Sequence, residues 1–209
     1  MIDIVSSEAF ERVKLILHDI PGGAEKALYG VISRATTTIR KVSLDGITSI
    51  YDIKAKDVRD RKNTTINTKT QRVDGGVVGH IHYSGNLIPL YRFGVKPREP
   101  RRKSHRVPIN IGGNWVMARP SVEVRARQRK DRPFARMPNT FVATMRSGHT
   151  GIFQRPSRNT SAIGERMGAS TAHMAGTADV MKKSDVAAQE AVVNRTEHEI
   201  SRILNGWGR

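Results

Sequence analysis

The chain has 209 residues, no cysteine, 37% hydrophobic and only 5% aromatic residues, and a formal net charge of +17. The lack of cysteine excludes disulfides and thiolate metal sites. So little apolar material limits the chain to one domain with appendages, or two small ones, with part of its burial expected from partner subunits.

In chain order, the opening MIDIVSSEAFERVK has no basic region followed by an apolar core, and no run reaches the roughly 18 apolar residues of a membrane span. The expectation is a protein made and used without export, with no membrane partner. Phe10, Val13, Leu17 and Ile20 recur at helical spacing and predict a helix over Ser7–Asp19, ended by Pro21-Gly22-Gly23. A second helix is predicted over Ala24–Val42, with Ala27, Leu28, Val31, Ile32, Ala35 and Ile39 as its stripe. Its Thr36-Thr37-Thr38 run is a poor helix former that is expected to bend or fray it. Tyr51-Asp52-Ile53 reads as a brief extended piece and Ala55–Arg61 as a short charged helix. Two β-rich runs flank Asp74-Gly75-Gly76, which predicts a hairpin. Pro97–His105 reads as an exposed loop, and Val107–Ile111 and Ser121–Gln128 as strands. In the latter, Val122, Val124 and Ala126 alternate with Glu123, Arg125 and Arg127, which places the charged residues on one face. Phe141–Arg155 reads as a second hairpin turning at Ser147-Gly148. A polar stretch with little periodicity follows, and a last helix is predicted from a Ser184 cap to Leu204, with Val186, Val193, Ile200, Ile203 and Leu204 as its stripe.

This pattern predicts an α+β fold, with N-terminal helices on a small antiparallel sheet or sandwich. The expected organisation is a core over 1–155 with a basic loop region at about 92–136, an extended arm or linker over 156–183, and a C-terminal helix over 184–209. From Arg92 to Arg136 there are fourteen Lys/Arg and three acidic residues, so +11 of the +17 lies there. Such a concentration attracts polyanions, either nucleic acid or an acidic protein surface, although it also fits solvated loops. The candidate contacts are Arg98, Arg101, Arg102, Lys103, Arg125, Arg127, Arg129 and Lys130.

Catalytic chemistry finds little support. His80 and His82 share one strand face, but no third ligand stands at a suggestive spacing. His149 has only Ser147 nearby and no carboxylate partner in sequence, and the pair fits no triad order. Gly75-Gly76-Val77-Val78-Gly79 lacks the lysine and the helix of a phosphate loop. No catalytic, cofactor-binding or metal residue is assigned, and the expectation is that the chain is not an enzyme. Tyr91, Phe93 and Phe134 lie near the arginines but read as packing, so any DNA contact would be electrostatic rather than sequence-reading.

Several of these pieces occur in a set order: Ala27–Ala35 (ALYGVISRA), Tyr51-Asp52-Ile53-Lys54, Asp57-Val58, a strand pair, Ile88-Pro89-Leu90 with Phe93, and Phe141–Arg155 (FVATMRSGHTGIFQR). In order and spacing this set, over roughly residues 20–205, resembles the minor tail protein Z (tail completion) family of tailed bacteriophages and prophages. The chain departs from the family where a Pro-Ile pair usually leads into the last helix; here Ala162–Gly168 (AIGERMG) stands instead. The resemblance implies a structural virion protein at the head-proximal end of the tail, in or near the neck, made in the host cytoplasm. It implies a ring, expected as a hexamer, that touches the tail terminator or tail tube and the head connector. Within it the basic segment would dock on acidic faces of those proteins or contact the genomic DNA non-specifically. The alternative from the residues alone is a basic, non-enzymatic nucleic-acid-binding accessory protein.

Overall fold

A computed structural model of the chain describes residues 7–60, 62, 64–73, 76–100, 107–118, 123–156 and 162–206. Helices α1 (Ser7–Ile16) and α2 (Gly23–Ile50) are followed by the single turn α3 (Ala55–Val58). Strands β1 (Thr64–Val73) and β2 (Gly76–Gly85) come next, then a 3-10 turn at Leu90–Arg92 and β3 (Gly94–Lys96). The middle of the chain gives β4 (Val107–Ile111), β5 (Asn114–Ala118), β6 (Val124–Arg127), β7 (Ala135–Met137), β8 (Thr140–Thr144) and β9 (Thr150–Gln154). It closes with β10 (Gly164–Glu165), α4 (Thr171–Ala175) and α5 (Ala178–Leu204). The fold is α+β, and all paired strands among the described residues are antiparallel.

The chain forms two compact units: Met1–Ser49, Val58–Asn86 and Thr171–Arg209 make the first, and Ile50–Asp57 with Leu87–Ser170 the second. Each draws on segments far apart in sequence, so the division does not follow the blocks 1–155, 156–183 and 184–209.

In the first unit, α2 runs eight residues past its expected end at Val42, to Ile50. The threonine run does not break it, because the hydroxyls of Thr36, Thr37 and Thr38 donate to the carbonyls of Ile32, Ser33 and Arg34, at 2.7, 3.1 and 3.1 Å. Each hydroxyl is thus satisfied within the helix. Leu44 and Ile47 then extend the buried stripe. Helix α5 begins six residues before Ser184, which is no cap: it lies mid-helix, buried, and donates to the Val180 carbonyl at 2.9 Å. Thr177 takes the cap position.

The buried face of α5 also differs from the expected stripe. Val180, Ser184, Ala188, Val192, Thr196 and Glu199 join Ile200 and Ile203 inside, whereas Val186, Val193 and Leu204 are exposed. Small side chains explain this choice of face, since they let α5 approach α2 closely. A Cβ on Gly46 would lie 3.5 Å from Val180, and one on Gly30 would lie 2.7 Å from the carboxylate of Glu199. The two helices therefore run antiparallel, with the end of α2 beside the start of α5. Glu199, only 1% exposed, accepts from Arg202 Nε at 2.7 Å and pairs with Arg34 Nε at 3.3 Å. A buried carboxylate is tolerable only with such partners. Val13, Leu17, Ala27, Leu28, Ile32, Val77, Ile200 and Ile203 form an apolar cluster in this unit.

The long β1–β2 hairpin lies against α2, with Gly79 packed on Thr36 and Ile32. The hydroxyls of Thr64 and Thr171, both buried, meet at 2.7 Å and tie β1 to α4.

The second unit has two three-stranded sheets, ordered β3-β6-β7 and β10-β9-β8, and a separate β4–β5 ribbon. Ile88, Phe93 and Ile152 are fully buried, with Leu90, Val95, Val124, Ala126, Val142 and Phe153 around them. Gly168 seats the Phe93 ring, because a Cβ there would fall 2.6 Å from it. The described part of the expected arm is ordered: β10 pairs with β9, and Met167 bridges Pro89. Leu90 N–H donates to Arg166 O at 2.9 Å and Gly168 N–H to Ile88 O at 2.7 Å. The Asp74-Gly75 turn and Ser121-Val122 lie outside the described residues.

Substituting Gly30→Ala would ordinarily gain up to about 1 kcal/mol of helix propensity. The Glu199 carboxylate in its path is held by two arginines, so the clash is expected to win, with a net loss of about 1–2 kcal/mol. A urea midpoint that rises in Gly30→Ala would overturn this packing account.

Candidate functional site

The basic region is organised by β6. Val124 and Ala126 point into the core, and Arg125 and Arg127 face the other way, as the alternation predicts. A bridge between Tyr51 and Arg129, with Asp52 N–H to Gln128 O at 2.8 Å and Lys130 N–H to Ile50 O at 2.9 Å, lays residues 50–52 beside this strand. Asp52 is thereby delivered to Arg127, whose Nε donates to it at 2.7 Å. Glycine is required at position 94, where a Cβ would collide with that same carboxylate.

Aromatic rings take up further cations. Arg127 and Lys96 each sit 4.6 Å from the Phe134 ring centre, and Arg129 lies 5.8 Å from that of Tyr51. Such stacking contributes about 0.5–1 kcal/mol at partly exposed sites. Arg125 and Arg136 both pair with Glu123, and Arg129 is bidentate on Asp131 at 3.0 and 3.1 Å. Arg98 stacks over Tyr91 at 5.9 Å and donates to the Phe93 carbonyl at 3.1 Å.

Of the eight candidate cations, the structure thus brings Arg125, Arg127, Arg129 and Lys130 together along β6 and its turn. Arg98 belongs with Tyr91 and β3. Arg101, Arg102 and Lys103 lie outside the described residues. The alternation placed Glu123 beside Arg125 and Arg127, whereas Asp52 and Phe134 were not recognisable as partners from spacing; Asp52 is 75 positions from Arg127.

The β4–β5 ribbon was also missed as a surface feature. Its turn is Gly112-Gly113, both at positive φ (59° and 88°), which suits a tight two-residue hairpin loop. The twelve residues VPINIGGNWVMA carry no charge, and Trp115, Val116 and Met117 are 72, 47 and 58% exposed. Trp115 and Met117 lie on one face and Val116 on the other, so both faces present apolar surface. The Gly-Gly between two uncharged β-prone runs was the available signal.

The histidines also find their places. His80 and His82 are exposed on one face of β2, opposite Lys69 and Asn67 on β1. Among the described residues no group of three His, Cys, Asp or Glu is arranged to hold a metal. His149, for which the sequence offered no carboxylate, meets Glu165 of β10 at 2.7 Å and packs edge-on against Phe153. The pair fastens β10 to the β8–β9 hairpin. In the first unit a cleft of about 470 Å³ is lined by Ile39, Met181 and the hydrogen-bonded hydroxyls of Ser43 and Tyr83. Burial pushes the Tyr83 phenol up, against the opposing pull of Ser43 and Arg40. It stays protonated at neutral pH and is not a base there.

Compared with protein-family models, with curated proteins and with solved structures, the chain matches none. No helix among the described residues is long and apolar enough to cross a membrane.

The hydrogen bond from Arg136, with help from Arg125, holds the Glu123 carboxyl below its ordinary value, and Arg129 does the same for Asp131. A carboxyl depressed on folding contributes stability above its unfolded pKa and loses it as pH falls through the folded one. The expected result of an NMR titration is that Glu123 and Asp131 titrate below the other exposed carboxyls. Arg136→Gln should return Glu123 towards 4.5, the ordinary value for glutamate. Added salt should shrink the difference in the parent protein. Ordinary titration of both carboxyls would show that these pairs do not form in solution.

Proposed function

We propose that this chain is a structural virion protein of a tailed bacteriophage, a tail completion or neck component that joins tail to head as a ring, and not an enzyme. The observation that carries the reading concerns the residues on which the family resemblance rests. Ile88, Leu90, Phe93, Ile152 and Phe153 are together the packed centre of the second unit. This burial supports the reading, because these markers are packed together; the Ala27–Ala35 marker belongs to the first unit.

The β4–β5 ribbon supports a role within an assembly. Its exposed apolar faces suit a subunit that completes its burial against neighbours. The basic segment fits docking on acidic faces of the tail terminator, tail tube or head connector. Asp52, Glu123 and Asp131 already neutralise several arginines of this segment, so the proposed joining contact is placed on Arg101, Arg102 and Lys103.

Electron microscopy of the purified protein is expected to show six-fold rings. A monomer that binds random duplex DNA in a salt-sensitive way would instead make it a nucleic-acid-binding accessory protein. Replacing Arg101, Arg102 and Lys103 by glutamine is expected to impair head–tail joining without lowering the thermal midpoint of the subunit. A normal virion yield from that variant would remove the segment from the joining surface.

A further inference from the structure

Outside the second unit, one cleft has the composition of an anion site. It lies in the first unit between α2 and the start of β1 and has a volume of about 560 Å³. Arg40 and Lys41 rise from α2 on one side, Arg59 stands at the approach to β1, and residues Thr65 and Asn67 of β1 border the cleft. All five are exposed. Among the described residues, no acidic side chain lines the cleft. Asp45 reaches Arg59 only at 4.0 Å, with both side chains more than half exposed. Among the described residues, neither Arg40 nor Lys41 makes an ion pair. This sets the cleft apart from β6, where carboxylates and rings already hold the arginines.

The backbone adds a donor. Thr64 N–H donates to Asp60 O at 2.9 Å, away from β2. Groups on an antiparallel strand alternate in direction, so Ile66 directs its N–H to the same free edge.

We propose that this cleft binds phosphate groups, either those of a nucleic-acid backbone or those of a free oligophosphate. Two guanidinium forks, an ammonium and a backbone N–H supply donors suited to tetrahedral oxyanions. An acidic peptide adding as a strand to β1 is the competing occupant, and it would use the open edge as well. Strand addition takes its specificity from pockets for alternate side chains. Among the described residues, the apolar ones on this lining are the buried Leu44 and the half-buried Ile66, so the composition favours phosphate. The site stands apart from the proposed assembly role and does not depend on it.

The test titrates the full chain with tripolyphosphate at low salt, by calorimetry and by amide chemical shifts. Wild type is expected to bind, with shifts centred on Arg40, Lys41, Arg59 and Ile66. R40Q/K41Q/R59Q should weaken binding at least about tenfold, while K14Q/K26Q/K182Q, which removes as many exposed charges elsewhere in the same unit, should retain it. Equal loss in the two variants would reduce the effect to net charge and overturn the site. So would shifts centred elsewhere in the wild type, a readout that needs no variant to fold. Preference for poly-glutamate over tripolyphosphate would overturn it in favour of an acidic peptide. Duplex DNA that competes with tripolyphosphate, and whose own binding is lost in R40Q/K41Q/R59Q, identifies a nucleic-acid backbone as the source; failure to compete identifies a free oligophosphate.

Discussion

Helices α2 and α5 can approach only as closely as Gly30, Gly46, Ser184 and Ala188 allow, and much of the first unit follows from that distance. Close approach brings Glu199 onto the bare backbone at Gly30, where water is excluded, so the carboxylate must have cations. Arg34 from α2 and Arg202 from α5 provide them, which makes one charge cluster common to both helices. The register of the helix pair is thus set twice, once by small residues that permit contact and once by a charge that would be intolerable if misplaced. With α2 fixed, its other side is free to receive the β1–β2 hairpin, where Gly79 repeats the same device against Thr36.

The second unit solves a different problem, an excess of cations with few aromatics. Each described arginine along β6 has a carboxylate, and Arg127 and Arg129 have a ring as well. The basic stretch is therefore partly a set of internal fasteners, and its +11 overstates the field offered to a partner. Bare charge and bare apolar surface occupy different places in this unit. Among the described residues the cations cluster near β6 and its turn, largely paired, and the twelve residues of the Trp115 ribbon carry no charge. An assembly partner reading both would need an acidic area and an apolar one.

The readable parts of the fold were those governed by local periodicity. The first half of α2, the β1–β2 and β8–β9 hairpins and the alternation on β6 follow from spacing within a few residues. What could not be read was set by distant partners. The face of α5 turned inward with Ser184, Thr196 and Glu199 on it, because glycines some 150 residues away made room; periodicity of apolar residues favoured Val186 and Val193 instead. The extension of α2 past Val42 depended on threonine hydroxyls bonding back within the helix, which propensity scales treat only as a cost. The role of Arg127 was hidden because its partners, Asp52 and Phe134, come from separate segments. Glu165 was invisible as the partner of His149 for a related reason, since the segment carrying it looked like an unstructured arm.

The pairing of residues 88–90 with 166–168 has one more consequence. After its short visit at Ile50–Asp57 the chain makes one long excursion in the second unit, from Leu87 to Ser170, and just inside those points the excursion's two ends are laced together by the two backbone hydrogen bonds of the Pro89–Met167 bridge. Everything between them is a closed circuit, fastened at its neck. Force arriving at Leu87 or at Ser170 meets the lacing before it meets the Phe93 core. A break in the backbone at the Gly112-Gly113 turn would leave two pieces still clasped at the point where the circuit begins.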